Sequence, residues 1–161
     1  MEIRFLGHAC FELTEGDTRV LVDPFLTGNP KAAVEAGDVD PTHIFLTHGH
    51  ADHIGDTVDI AKRTGAQTVA IVELANELGE SGVENVVDPN IGGTVKFEGG
   101  WVRLTPAWHT AVSPNGTAHM PAGLLIHIGD RLIYHLGDTC LFSDMKLVAR
   151  RGDKVDLALV P

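Results

Sequence analysis

Cysteine is scarce in this chain: Cys10 and Cys140 are the two that occur among 161 residues. Two thiols so far apart cannot staple a small disulfide scaffold. Both read as small buried hydrophobes in a reduced, cytoplasmic setting. No apolar run approaches the roughly 20 residues of a membrane span, and no charged-then-apolar leader follows Met1, so no membrane and no secretory signal are expected. Basic residues are also few, 12 Lys and Arg against 22 Asp and Glu, for a net charge of −10. The acidic residues are spread along the chain. That balance argues against a nonspecific grip on nucleic-acid phosphates, which needs clustered Lys and Arg. It leaves open a nuclease that acts through metals. No short repeat and no low-complexity segment interrupts the sequence.

What remains is ordinary globular material. Hydrophobic residues make up 43% and charged residues 21%, enough for a packed core, and the length suits one domain over residues 1–161. Glu2–Leu6 and Cys10–Thr14 alternate as strands, and Thr18–Val22 returns after the turn Glu15-Gly16-Asp17. Residues 26–41 read as a loop. His43–Thr47 is a short apolar strand, Gly55–Thr64 has helical spacing, Gln67–Val72 is an apolar strand, and Glu73–Leu78 is a short helix. Val83–Val87, Thr94–Phe97 and Trp101–Pro106 are strands between Gly-rich turns, and residues 110–121 form a polar loop. Gly123–Ile128 and Arg131–Leu136, joined by Gly129-Asp130, carry a strong hairpin signal. Phe142–Arg151 reads as a helix and Asp156–Val160 as a last, buried strand. Hairpins followed by alternating strands and helices imply an α/β chain, with mixed sheets and helices packed outside.

The densest chemistry lies in His48-Gly49-His50-Ala51-Asp52-His53. Three imidazoles and a carboxylate within six residues are the ligand types of Zn²⁺ and its first-row neighbours. His48 and His50, two apart, can converge on one ion, while Asp52 and His53, carried round by the turn, can face a second, the layout of dinuclear hydrolases. Four further ligand-type residues stand just past apolar strands: His8, Asp23, His109 and Asp138. Strand ends are where distant segments meet. Taken alone, Gly137-Asp138 is common turn chemistry, His8 serves equally as a satisfied buried histidine or a substrate contact, and His119 is a surface residue or one that reaches over the site. His43, His127 and His135 lie on strands and read as structural. A thiolate at Cys140 could touch a metal, but an inert packed cysteine is the simpler reading.

Taken together and in order, Asp23, Thr47 to His53, His109 and Gly137-Asp138 resemble the metallo-β-lactamase superfamily over essentially the whole chain. Phe5-Leu6-Gly7-His8-Ala9-Cys10-Phe11, Asp23-Pro24-Phe25 and Gly137-Asp138-Thr139 look like a bacterial and archaeal group of small metal-dependent hydrolases related to the L-ascorbate-6-phosphate lactonases. The resemblance implies an αββα sandwich. It implies a first metal on His48, His50 and His109, a second on Asp52 and His53, and Asp138 bridging them. Asp23 would orient a histidine from behind, and His8 and His119 are candidates to line the substrate. Asp52 would hold the metal-bound hydroxide and pass a proton to the leaving group as that hydroxide attacks an ester, lactone, amide or phosphoester bond of a small molecule. Two divalent ions are implied; Zn leads, and Mn, Fe, Ni and Co suit the same ligands.

One departure stands out. The family adds a last histidine to the second metal, and this sequence has none after Asp138. The expectation is an N-terminal fragment lacking the C-terminal part of the fold: a truncated form, a proteolytic product, or a piece completed by a complementing C-terminal chain or in a homo-oligomer. Two other readings follow. One is a metal-binding domain with impaired catalysis, and the other a phosphodiesterase or nuclease-type relative, which would carry a substrate-gripping domain not seen in this sequence.

Overall fold

The computed structural model describes residues 1–149 and 153–161. The strands are β1 (Glu2–Gly7), β2 (Cys10–Glu15), β3 (Thr18–Val22), β4 (His43–Phe45), β5 (Gln67–Val69), β6 (Val86–Val87), β7 (Thr94–Phe97), β8 (Gly100–Pro106), β9 (Ala122–Ile128), β10 (Arg131–His135) and β11 (Leu157–Leu159). The helices are α1 (Ala51–Ile54), α2 (Thr57–Thr64) and α3 (Val72–Glu80).

Two mixed sheets result. The first runs β1-β2-β3-β4-β5-β6, antiparallel from β1 to β3 and parallel from β3 to β6. The second runs β11-β10-β9-β8-β7, antiparallel except for the parallel β10–β11 pair. Register fixes which side chains face which layer. Val22, Phe45 and Val69 are aligned across the first sheet, and the Phe45 ring packs 5.4 Å from Phe97 of the second. This row therefore faces the other sheet, and successive residues of a strand point to opposite faces. Leu21 and Ile44, one position earlier, are turned away from the second sheet, toward the outer layer. Ile60 and Ala61 of α2 and Leu74 and Leu78 of α3 are buried in the same core. Burial on both faces explains why the parallel strands are apolar without alternation.

The outer face of the second sheet carries a smaller cluster, Leu125, Leu132, Tyr134 and Leu136, with Met145 and Val148 against it. A helix was expected over Phe142–Arg151. The chain there forms a 3₁₀ turn, Ser143–Leu147, and the end of that span, residues 150 and 151, lies outside the described residues. A short helix depends on docking an apolar face, and Leu141 and Leu147 both point to solvent. The expected strand Asp156–Val160 forms as β11, but it is not buried: among the described residues it pairs only with β10, at the sheet edge, and Leu157 and Val160 are exposed. Cys10 is buried, whereas Cys140, which follows the strand-end turn after β10, is exposed. No helix among the described residues is long and apolar enough to cross a membrane.

Candidate metal centre

Five strand ends deliver the site. His8 follows β1, Asp23 follows β3, and His48 to His53 run from the end of β4 into α1. His109 comes after β8 and Asp138 after β10. The first three groups come from one sheet and the last two from the other. Among the described residues, two adopt left-handed backbone without being glycine, His8 (φ 55°) and Asp23 (φ 44°). Such conformations disfavour side chains with a Cβ and persist where surrounding contacts hold them; at Asp23 those contacts are plain. Its carboxylate is fully buried. Oδ1 accepts the Thr47 N–H at 2.8 Å, and Oδ2 accepts the Thr47 hydroxyl at 2.5 Å and the His53 Nδ1–H at 2.8 Å.

Donor atoms lie within 4.8 Å of one another in three groups: His48, His50 and His109; His8, Asp52 and His53; and His48, His53 and Asp138. In the first, His48 Nε2 and His50 Nδ1 are 3.0 Å apart, and the His109 ring centroid lies 5.3 Å and 5.1 Å from those of His48 and His50. In the second, His8 Nε2 is 3.1 Å from Asp52 Oδ2. Asp138 stands between, with Oδ2 3.5 Å from His53 Nε2 and 3.6 Å from His109 Nε2. Every candidate ligand named from the sequence is thus in one constellation. His8, expected to line the substrate, is drawn in beside Asp52 and His53. His119 is in none of the three groups; its Nε2 accepts the Gly49 N–H at 2.9 Å instead.

Hydrogen bonding assigns the tautomers. Thr47 gives its hydroxyl proton to Asp23, so its oxygen is left to accept from His48 Nδ1 at 3.0 Å. His53 Nδ1 also donates to Asp23. Both rings then present a bare Nε2, the arrangement by which an outer carboxylate orients a ligand. Asp23 serves two histidines, one directly and one through Thr47, where the sequence suggested a single one. Thr47 was missed as a participant because a hydroxyl before a His-rich turn has no spacing signal of its own.

The charge state of His48 agrees. Burial pushes His48 down to about 3, so its imidazole is neutral at neutral pH. Burial also opposes charge on His53, but the Asp23 hydrogen bond outweighs it and holds that ring above its ordinary value. Asp23 itself lies below the usual carboxylate range: burial works against this, and the His53 and Thr47 hydrogen bonds overcome it. Asp52, with half of its side chain exposed, is lowered too, because its backbone hydrogen bond and the charges of His53 and His8 outweigh partial burial.

Whether these residues suit a metal is testable on one atom. His53 Nε2 is buried without a hydrogen-bond partner, an arrangement that costs roughly 1–3 kcal/mol unless something fills it. It faces Asp138 and lies in a group of three donors. A tetrahedral ion with metal–nitrogen bonds near 2.0–2.1 Å holds its nitrogens roughly 3.3–3.4 Å apart, close to the His48–His50 spacing of 3.0 Å. The donor set therefore fits a divalent transition metal. A hollow of about 660 Å³ lined from within residues 26–38 contains none of these groups.

Two stacked mixed sheets with imidazoles and carboxylates gathered at their strand ends define a metallo-β-lactamase-type domain. A family model for the beta-lactamase superfamily domain matches residues 18–161, and the chain belongs to the metallo-β-lactamase superfamily. Among known proteins it is similar to a metal-dependent hydrolase of Thermus thermophilus, 47% identical over all of this chain and 70% of the relative. Among solved structures it is similar to Igni18, a metallo hydrolase of the hyperthermophilic archaeon Ignicoccus hospitalis, with a TM-score of 0.78 and 31% identity. That match covers 91% of this chain and 64% of the other. The fold is shared with CmlA, a diiron β-hydroxylase from Streptomyces venezuelae, at a TM-score of 0.77 and 24% identity over 97% of this chain and 33% of that one. The chain thus spans about two thirds of the Ignicoccus enzyme's length.

Proposed function

We propose that this chain carries the metal-binding part of a metal-dependent hydrolase acting on a small-molecule substrate. The observation that supports this most is the imidazole trio His48, His50 and His109 beside the unpartnered Nε2 of His53. His48, His50 and His109 would hold one divalent ion. His53 and Asp52 would hold a second, with His8 as a further donor on that side, and Asp138 would face both. Zn²⁺ suits this set best, and Mn, Fe, Ni or Co suit the same ligands. Ions held there supply Lewis acidity and bring the pKa of a water toward neutrality.

The remaining chemistry belongs to the side chains. Asp52 is half-exposed and held ionised, so it is able to accept a proton from an attacking water and return it to a leaving group. Asp23 and Thr47 hold the Nδ1 protons of His48 and His53 and so turn the Nε2 of each ring toward the ions. Such a centre hydrolyses an ester, lactone, amide or phosphoester without a nucleophilic side chain.

The test is metal content together with turnover of lactone, ester and phosphodiester panels, with His48→Ala as control. We expect metal-dependent turnover of at least one bond class in the parent chain, and a loss of about 10²-fold or more in the variant, in line with removal of a charge-stabilising group. Equal turnover by the two proteins would refute the assignment.

A further inference from the structure

Behind the His48–His50 turn runs a chain of hydrogen bonds that the proposed mechanism does not use. It starts at Glu77 of α3, a buried carboxylate. Glu77 accepts from the Ser113 hydroxyl at 2.5 Å and from Asn115 Nδ2 at 2.9 Å. Ser113 Oγ accepts the Thr117 N–H at 3.1 Å, and the Ser113 N–H is bonded to the Thr117 carbonyl at 3.0 Å. That carbonyl also accepts from His119 Nδ1 at 3.1 Å. A proton on Nδ1 leaves Nε2 as an acceptor, and it takes the Gly49 N–H at 2.9 Å. The His119 N–H in turn donates to the Ala111 carbonyl at 3.2 Å, closing the loop on itself.

Gly49 is the residue between the two closest donors of the site. Its surroundings are tight: a Cβ added there would lie 2.8 Å from His119 Cε1 and 2.9 Å from Leu74 Cδ1. The peptide joining His48 to Gly49 is thus gripped from α3 and from the 111–119 loop at once. Its orientation sets where the His48 and His50 rings converge.

We infer that His119 is a positioning residue of the metal centre: its Nε2, braced through the 113–117 loop by Glu77, holds the Gly49 amide and so presets the spacing of His48 and His50. This rests on the metal-site reading above. It also makes the 111–119 loop part of the metal-binding apparatus, where the sequence offered His119 as a substrate-lining candidate.

The experiment compares His119→Phe, which keeps a planar ring without an acceptor, with His119→Gln, whose Oε1 reaches the position of Nε2. Co²⁺ affinity is measured by competition with a chromophoric chelator, the visible Co²⁺ spectrum reports ligand geometry, and melting of the metal-free protein reports structural cost. We expect His119→Phe to bind Co²⁺ about 10–100-fold more weakly, the range for losing an outer partner of a ligand, with an altered visible band. His119→Gln should return to within about threefold of the parent, on the premise that the acceptor is what matters. A purely structural role would lower the melting temperature and leave affinity and spectrum unchanged; that result, or a Gln variant as weak as the Phe variant, overturns the inference. Should the Phe variant fail to fold, Ser113→Ala breaks the brace with His119 in place, and unchanged Co²⁺ affinity there is equally contrary. A parent chain that binds no Co²⁺ would instead overturn the metal-site reading itself.

Discussion

Replacing Asp23 by Asn tests the orientation of two histidines with a change of one atom. Asn tolerates the left-handed backbone at this position (φ 44°) better than most residues, so shape and backbone are retained. Its Oδ1 keeps the Thr47 N–H, but an NH₂ group now occupies the place of Oδ2, opposite two former donors. His53 can pair with that NH₂ only by presenting a bare Nδ1, which moves its proton to Nε2. The Thr47 hydroxyl must become an acceptor from the amide, which frees its hydrogen for His48 Nδ1 and drives the same exchange in that ring. Both Nε2 atoms then carry the proton that a metal must displace. Losing one outer partner costs about 10–100-fold in metal affinity; two affected rings put the expected loss at about 100-fold or more. Stability falls too: three charge-assisted hydrogen bonds, worth roughly 1.5–3 kcal/mol each, give way to neutral ones worth about 1 kcal/mol each, offset in part because a buried charge is relieved. Asp23→Ala would be uninformative by comparison. It strands three buried donors at roughly 1–3 kcal/mol each, a sum comparable with the whole stability of a domain. The assay is Zn²⁺ titration calorimetry on Asp23→Asn and the parent, with urea melts of the metal-free proteins. Parent-like Zn²⁺ affinity in a folded Asp23→Asn protein would refute the tautomer argument.

Three further outcomes are expected. Gly49→Ala, whose new Cβ meets His119 and Leu74 at under 3.0 Å, should weaken Zn²⁺ binding about tenfold or more; tight binding with no displacement of the turn would contradict the close packing described. The metal-free protein should lose stability on acidification. His48 is depressed to about 3 and His135 is depressed by burial, so the unfolded chain, with histidines near 6.5, binds more protons, and the stability present above 6.5 falls as pH drops below it. His53 has the opposite sign, since its raised value gives stability already complete below 6.5 and lost as pH rises through its folded value. Between pH 6.5 and 5, His48 therefore contributes a loss of up to about 2 kcal/mol, and an unchanged urea midpoint across that window would speak against it. Finally, of the two thiols described, Cys140 is exposed and Cys10 is buried with its thiol pushed up, by burial first. A bulky thiol reagent should label Cys140 in the native protein and Cys10 only after denaturation; labelling of both at similar rates would show that the core around Cys10 opens.

Much of this arrangement could be read from residue order because the signals were local. The hairpins of β1 to β3 and of β9 and β10 follow from alternation and from Gly16 and Gly129 in tight turns. The ligand motif follows from three imidazoles within six residues. The errors arose where the outcome depends on distant packing. The Phe142–Arg151 pattern has helical spacing, but Leu141 and Leu147 find no surface to cover. Leu157 to Val160 look like core, yet among the described residues their strand has a neighbour on one side only. The approach of His8 to Asp52 depends on a left-handed residue after β1, and the grip of His119 on Gly49 spans 70 positions. Neither leaves a trace in spacing. Cys140 was misjudged because composition speaks to cysteines on average and not to one placed past a strand-end turn.

The donors of the candidate centre come from both halves of the sandwich: His48, His50 and His53 from the end of β4, His109 from beyond β8, and Asp138 from beyond β10. An ion bound among them is thereby a rivet between two plates that otherwise meet through an apolar core and a few hydrogen bonds, such as Ala122 N–H to the Thr47 carbonyl. It closes a loop from His48 to Asp138, and a cross-link over a loop of that order restricts the unfolded chain by about 4–5 kcal/mol in the chain-entropy description. Loading the centre should consequently slow amide exchange along β8 and β10, the strands that lead into His109 and Asp138, and chelation should loosen the seam between the sheets before it melts either one.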